Sequence, residues 1–405
     1  MKRISSLLLA LCSLGASAQI ITREDSLHAG LTPSTNPTVI SGYGQFKAEY
    51  DTRYQTAKAS LTRNVLFFGH KFNKRIAFFS EMELEDAKVV GGSPSGEISM
   101  EQMFLKFGIN NDIYLTAGLF IPRIGLVNEN HLPTIFNGND RPFVERLLIP
   151  STWRELGVSL YGRSRRIPGL NYSAGIMNGL NSQGFGNGEG IREGRFEGNN
   201  ATAGNLAVTG ALLYYRQGFR FQASAYYGGS AGLVKRVADS LQLDSRPFGT
   251  PVFLTEANVQ YQSQSGFEFK VLGTLSTIKD AASINRAYSN NTPGKMWGAY
   301  AEIGYNILKA FKPNTERSLV LFARAEAMDL NAEVPFNGIH NPEQNKQFFI
   351  TGITYTPVRG VVVKVDYVHR MTGTPNPALI LTPYPSALPY FNSNGFLNIG
   401  AGYSF

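Results

Sequence analysis

The chain ends Phe396-Leu397-Asn398-Ile399-Gly400-Ala401-Gly402-Tyr403-Ser404-Phe405, and from Leu397 onward apolar residues alternate strictly with small or polar ones. Leu397, Ile399, Ala401, Tyr403 and Phe405 fall on one side. Asn398, Gly400, Gly402 and Ser404 fall on the other. A repeat of two describes a strand with one oily face and one wet face. About ten residues is also what a tilted strand needs to cross the hydrocarbon layer of a bilayer. In lipid, an unpaired strand edge costs several kcal/mol per exposed peptide group. Strands therefore span a membrane only when the sheet closes on itself.

The other end supports the same reading. Lys2 and Arg3 precede an apolar run over 7–14, and Ala16-Ser17-Ala18 offers a small-residue cleavage site. Residues 1–18 are expected to be a signal peptide, with the mature chain starting at Gln19. A lipoprotein anchor at Cys12 is the weaker alternative, because Leu11 is too large for the position before such a cysteine. Cys12 is the only cysteine. A mature chain without it has no disulfide and no thiolate metal site. Residues 19–39, with Pro33 and Pro37, form a short segment, and 40–405 form the barrel. No run approaches the 18 or so apolar residues of a membrane helix.

Alternating segments recur at 41–51, 57–71, 76–90, 96–108, 113–119, 152–162, 170–180 and 203–215. They continue at 219–228, 251–261, 267–278, 296–306, 318–329, 347–355, 361–371 and 394–405. The sixteen segments make an even number, as a single-chain bacterial barrel requires. Connections 72–75, 110–112, 216–218, 262–266 and 356–360 are tight, and 163–169 and 307–317 are somewhat longer. Most of the alternate connections are longer still. Short turns face the periplasm and long loops the exterior, which puts both barrel ends on the inner side. The expected fold is a 16-stranded antiparallel transmembrane β-barrel. The longest connection, 120–151, has 32 residues and apolar anchors at Ile124, Leu126, Ile135, Phe136, Leu147, Leu148 and Ile149. It is expected to be a third loop folded into the lumen, where it narrows the pore. A cap packed on the outer rim is the alternative.

Gly118-Leu119-Phe120-Ile121-Pro122-Arg123-Ile124-Gly125-Leu126, Arg141-Pro142-Phe143-Val144-Glu145-Arg146 and Trp153-Arg154-Glu155-Leu156-Gly157-Val158 resemble the phosphate-selective porin O/P family. The resemblance covers about 115–161. It implies a sixteen-strand, homotrimeric outer-membrane porin of general or anion-preferring type, with a folded-in loop carrying a Glu-Arg pair.

Alternation also sorts side chains by face. Phe219, Phe221, Ala223, Ala225 and Tyr227 face lipid on one strand, and Leu319, Leu321, Ala323, Ala325 and Ala327 on another. The lumen receives Lys47, Glu49, Arg220, Glu256, Glu268, Lys270, Glu302, Arg324, Glu326, Lys364, Asp366 and Arg370. The constriction loop offers Arg123, Glu129, His131, Asp140, Arg141, Glu145 and Arg146, with Arg154 just beyond. A planar guanidinium suits carboxylate and phosphate, but the loop's own acids compete for Arg141 and Arg146 by structural pairing. The formal charge of +8 does not settle the question. The seven inner turns hold Lys74, Arg75, Arg163, Arg165, Arg166, Arg216, Lys309, Lys312, Arg317 and Arg359 against only Asp112 and Glu316. Such basic turns fit anionic headgroups of the inner leaflet. No nucleic-acid module accompanies them.

The five histidines, His28, His70, His131, His340 and His369, lack metal-ligand spacing, so no metal or other cofactor is expected. His131 and His369 are the only candidates for a spatial Ser–His pair, and no enzyme is expected. The glycine-rich run 184–190 reads as a surface loop, with calcium capture by Asn187 and Glu189 as its alternative. The uncharged loop 372–393, with five prolines, reads as a plain loop, a lid or a subunit contact. The expected function is passive diffusion of small hydrophilic or anionic solutes through the outer membrane, in contact with its lipid. The alternative is a substrate-binding or adhesive barrel without an open channel.

Overall fold

In the computed structural model, each of sixteen strands hydrogen-bonds to its sequence neighbours, and the last returns to the first. The structure describes residues 37–86, 96–186, 190–379 and 389–405. The signal peptide, most of the segment 19–39, and Asn187 and Glu189 lie outside these residues.

The strands are β1 (Thr38–Asp51), β2 (Thr56–Lys71), β3 (Ile76–Glu85), β4 (Glu97–Gly108), β5 (Ile113–Phe120), β6 (Glu155–Arg163), β7 (Leu170–Asn178) and β8 (Leu206–Arg216). The remaining eight are β9 (Phe219–Gly228), β10 (Val252–Gln262), β11 (Phe267–Ile278), β12 (Lys295–Asn306), β13 (Ser318–Glu333), β14 (Asn345–Val358), β15 (Val361–Thr372) and β16 (Ser393–Ser404). All neighbours are antiparallel. The seam pairs Gly44 with Tyr403 and Lys47 with Gly400, so no strand edge is left open. Short helices sit in the connections: α1 (Phe143–Leu147), α2 (Lys235–Ser240), α3 (Ala281–Tyr288) and α4 (Ile307–Phe311). No helix of the described residues is long and apolar enough to cross a membrane.

β12 shows why these sequences become strands of a barrel. Trp297, Ala299, Ala301, Ile303 and Tyr305 are exposed, and Met296, Gly298, Tyr300, Glu302, Gly304 and Asn306 are buried, alternating without a break. The exposed side is apolar and the buried side is mixed, the reverse of a soluble sheet. An inverted pattern of this kind is stable only where the outer solvent is lipid. Trp297 and Tyr305 stand at opposite ends of the strand, at the two heights where an aromatic ring bridges hydrocarbon and headgroups.

The turns at one rim are tight: Gln217–Gly218 joins β8 to β9, and Arg359–Gly360 joins β14 to β15. Most loops at the other rim are long. The first, at 52–55, is an exception. Expected and observed strands correspond one to one, with shifts at both rims: at the short-turn rim β1 starts at Thr38 rather than 41 and β14 ends at Val358 rather than 355. β3 is described over Ile76–Glu85, and residues 87–90 of the expected segment lie outside the described residues. At the long-loop rim β7 ends at Asn178 rather than 180, and β8 starts at Leu206 rather than 203. β6 starts at Glu155 rather than 152, because Trp153 leaves the wall to pack on Tyr226, with ring centres 4.6 Å apart. That contact belongs to an apolar cluster closing part of the long-loop rim, built from Leu180, Phe185, Ile191, Ile284 and Met296 with Val144, Leu148 and Ile149. The cluster also takes in Phe67, Phe79 and Phe104 of β2 to β4 and Phe322, Phe348 and Val368 of β13 to β15, while Arg63, Glu83, Glu85 and Glu97 leave the polar interior open beside β2 to β4.

Candidate functional site

Residues 121–154, here L3, connect β5 to β6 and meet inward-facing side chains of β1, β4 and β9 to β15. L3 turns sharply at two glycines. Gly125 has φ +80°, and a Cβ there would lie 2.6 Å from Glu145 Oε2. Gly138 has φ +75°, and a Cβ there would press on the ring of Phe322 at 3.1 Å. Any other residue would be strained at both places.

Glu145, on α1, organises the loop. Its Oε2 accepts from the backbone N–H groups of Leu126 (2.8 Å) and Val127 (2.7 Å), and its Oε1 accepts from the Tyr300 hydroxyl at 2.6 Å. The carboxyl is completely buried, and burial pushes its pKa up to about 7 despite those donors. The wall carboxylate Glu326 accepts from Val144 N at 2.9 Å, where α1 has free N–H groups.

The tip, 136–140, is gripped from several strands. Lys364 donates to the carbonyls of Phe136 (2.7 Å) and Gly138 (2.8 Å). Asp366 accepts from Asn139 N (2.7 Å) and Asn139 Nδ2 (2.6 Å). Gln45 donates to Asn139 O at 2.6 Å. Arg324 donates to Asn137 O (3.3 Å) and Asp140 O (3.1 Å), and pairs with Glu302 (3.1 Å) and Glu326 (2.9 Å). Lys270 completes this patch, 2.9 Å from Glu302.

The loop charges separate into two groups. Arg123 makes a two-pronged pair with Glu129 at 2.6 and 3.0 Å and lies over the Tyr161 ring, so both are engaged inside the loop. His131 is buried with Nε2 2.7 Å from the Tyr43 hydroxyl, which donates to Glu101 at 2.6 Å. His131, Glu101 and Glu81 come within metal-ligand reach of one another, a grouping that spans three segments and leaves no spacing signal in sequence. The bonds of His131 and Glu101 to Tyr43 tie L3 to β1 and β4. Asp140 lies 3.0 Å from Lys47 and 3.4 Å from Arg146. Burial opposes its ionisation, but those two cations hold its carboxyl below the usual value. Arg141 donates to Thr152 Oγ1 (3.1 Å) and, at 3.4 Å, to the His131 carbonyl. Arg146 is the most exposed of the loop arginines, with 42% of its side chain accessible.

Lys47 also meets Glu49 at 3.2 Å. Arg220 donates to Gln222, and Arg370 lies over Phe396. His369 Nε2 is 3.3 Å from Ser393 Oγ. Its ring shares the exposed side of β15 with Tyr367, away from the residues that line the interior.

The polar interior opens into a chamber of about 810 Å³ between β2 to β4, L3 and the next long loop. Its walls include Arg63, Glu83, Glu85 and Glu97 from the strands and Arg141, Arg146 and Arg154 from L3. Arg192, Arg195 and Glu197 enter from the fourth loop. Arg154 and Arg195 both pair with Glu197, at 2.6 and 2.9 Å. The residues that sequence reasoning missed are Arg63, Glu83, Glu101 and the Arg195–Glu197 pair. For the wall acids a signal existed: Glu81, Glu83 and Glu85 alternate with Met82 and Leu84. Phe136 lines this chamber and also a cavity of about 200 Å³ on its other side, next to Arg220, Lys270 and Tyr300. A third space, of about 600 Å³, opens at the short-turn rim beside Lys309, Arg317 and Arg359.

No family model matches the chain. An uncharacterized protein of Aquifex aeolicus (strain VF5) is 31% identical over 365 residues, covering 85% of this chain and 79% of that one. Among solved structures, OprB of Pseudomonas putida superposes with a TM-score of 0.55 at 9% identity, over 91% of this chain and 94% of that one. An anion-selective porin from Comamonas acidovorans gives 0.54 at 10% identity, over 91% and 99%. The fold is the one seen in outer-membrane porins.

Proposed function

The chain belongs to one family with the Aquifex aeolicus protein and shares the porin fold, and from that premise we propose that it is an outer-membrane porin. It lets small hydrophilic solutes diffuse passively across the outer membrane, with signal-peptide cleavage near Ala18 and a homotrimeric assembly. We assign it no enzymatic role.

One observation carries the reading. L3 is held across a charged interior by side chains from opposite walls, with polar space on both sides of Phe136. A loop with no transport role has no need for this. Fixed charges and a narrowed cross-section are the two means by which a passive pore selects. Arg141, Arg146, Asp140, Lys47 and Arg370 are the proposed selectivity residues, with Arg220 and Lys270 further in. Arg123, Glu129, His131, Glu145, Arg324, Glu326, Lys364 and Asp366 are proposed to hold the loop.

Charge balance supports a general channel over a phosphate-selective one. The outer chamber is lined by six arginines and six acids. Arg123, which the resemblance to the phosphate-selective porin O/P family places at the constriction, is spent on Glu129.

The test is current through the purified full chain in a planar bilayer, followed by the reversal potential in a KCl gradient. Stable current steps are expected, with weak ion selectivity that moves toward cations on Arg146→Ala. A sealed barrel that still captures an external ligand would replace this reading with the adhesive one.

A further inference from the structure

The outer chamber is neutral in sum but divided in charge. Its loop side carries five arginines against Asp140, Glu193 and Glu197, which leaves +2. Its strand side carries Glu83, Glu85 and Glu97 against Arg63, which leaves −2. The three loop acids are already paired to loop arginines: Asp140 to Arg146, Glu193 to Arg192, and Glu197 to Arg154 and Arg195. Arg141 has no ion pair to a described carboxylate, and its donors reach only a hydroxyl and a carbonyl. On the opposite wall, Glu85 and Glu97 face each other directly across β3 and β4. Like charges set opposite one another destabilise a sheet. A cation between them removes that cost.

The same walls hold buried polar atoms without a hydrogen-bond partner among the described residues. They are Thr62 Oγ1 and Arg63 Nε on β2, and Ser151 Oγ and Arg154 Nε on L3. Ser151 and Arg154 are each only 7% exposed, so these groups are desolvated in place. Buried donors and acceptors that stay unmade cost free energy, which a polar ligand recovers by meeting them.

We propose that this chamber is a binding station for small zwitterions of amino-acid or short-peptide type. Arg63 already pairs with Glu83 at 3.5 Å, so the carboxylate lies toward Arg141 and its loop neighbours, and the ammonium toward Glu85 and Glu97. A solute of one sign meets attraction at one wall and repulsion at the other. A solute carrying both signs satisfies both walls, and a volume of about 810 Å³ has room for it with its water. The proposal deepens the porin reading by naming the solute class, although binding itself needs no open pore.

Calorimetric titration of the full chain in detergent micelles tests it with three probes of similar size. Glycylglycine carries both charges, N-acetylglycine only the carboxylate, and glycylglycinamide only the ammonium. Glycylglycine is expected to bind about tenfold more tightly than either, since each single-charge probe gives up one charged contact. The double variant Glu85→Gln/Glu97→Gln, at exposed positions that packing does not decide, is expected to bring glycylglycine down to the level of N-acetylglycine. Arg146→Gln is expected to weaken glycylglycine and N-acetylglycine together and to leave glycylglycinamide unchanged. Equal affinities, tightest binding of N-acetylglycine, or a double variant without effect would each overturn the proposal. Current steps in KCl are read separately. Steps without zwitterion preference remove this inference and keep the porin. Zwitterion binding without steps does the reverse.

Discussion

The Lys364 ammonium on β15 donates to the carbonyl of Phe136 at 2.7 Å and lies 3.9 Å from the centre of the Phe136 ring. One wall side chain therefore fixes both the backbone and the aromatic face of the residue that separates the two interior cavities. Lys364 is only 1% exposed, and its second acceptor is the Gly138 carbonyl at 2.8 Å.

Replacing Lys364 by Met keeps the volume and removes both bonds. The two carbonyls are left unmet, at about 1–3 kcal/mol each. The barrel keeps its ladders, so the loss is expected in L3 and not in the strands. Thermal unfolding followed by heat-modified gel mobility should shift by only a few degrees, while the open-channel current becomes larger and noisier. A current trace identical to that of the native chain would show that Lys364 does not hold the tip.

Gly125→Ala places a methyl group 2.6 Å from Glu145 Oε2 at a φ of +80°. The carboxylate must move off the Leu126 and Val127 N–H groups, or the backbone must bear the strain. Either route costs about 1–3 kcal/mol. Gly273→Ala, on the exposed side of β11 with nothing within 4 Å, is the control and should unfold like the native chain. Equal midpoints for the two variants in detergent would contradict the loop geometry.

Two carboxyls give opposite dependences on pH. Glu145 is raised to about 7 by burial, so the folded chain binds its proton more tightly than the unfolded chain. Its contribution is full below the ordinary carboxylate range, declines as pH rises toward about 7, and stays level above. Asp112, in the β4–β5 turn, is lowered by hydrogen bonds from Arg163 and Arg165. Its contribution is present above the ordinary carboxylate range and is lost as pH falls through its depressed value. Subtracting the melting profile of Glu145→Gln from the native one should isolate a slope between about pH 5 and 7. Subtracting that of Asp112→Asn should isolate a loss confined to acid. Flat differences in both would show that neither group is perturbed as described.

The face of each strand residue could be read from sequence because alternation is local. Lys47, Glu256, Lys364 and Asp366 sit one residue from outward-facing neighbours, and all four meet L3. Partners across the barrel could not be read. The pairing of Tyr300 with Glu145, or of Tyr43 with Glu101 and His131, depends on strand stagger and on the path of L3 between opposite walls. Neither leaves a periodic trace in the chain. For the same reason Arg123 reads as a pore charge, although its fork closes on Glu129 six residues away. β6 starts three residues later than alternation predicts because Trp153 supplies an apolar beat to the pattern while packing on Tyr226.

Single-channel conductance of the native chain and of Phe136→Ala, in planar bilayers under identical salt, addresses the central claim most directly. A water-filled barrel narrowed at Phe136 predicts stable steps for the native chain and distinctly larger steps for the variant. Native protein that inserts and leaves the bilayer silent, or a variant whose steps match the native ones, would contradict it.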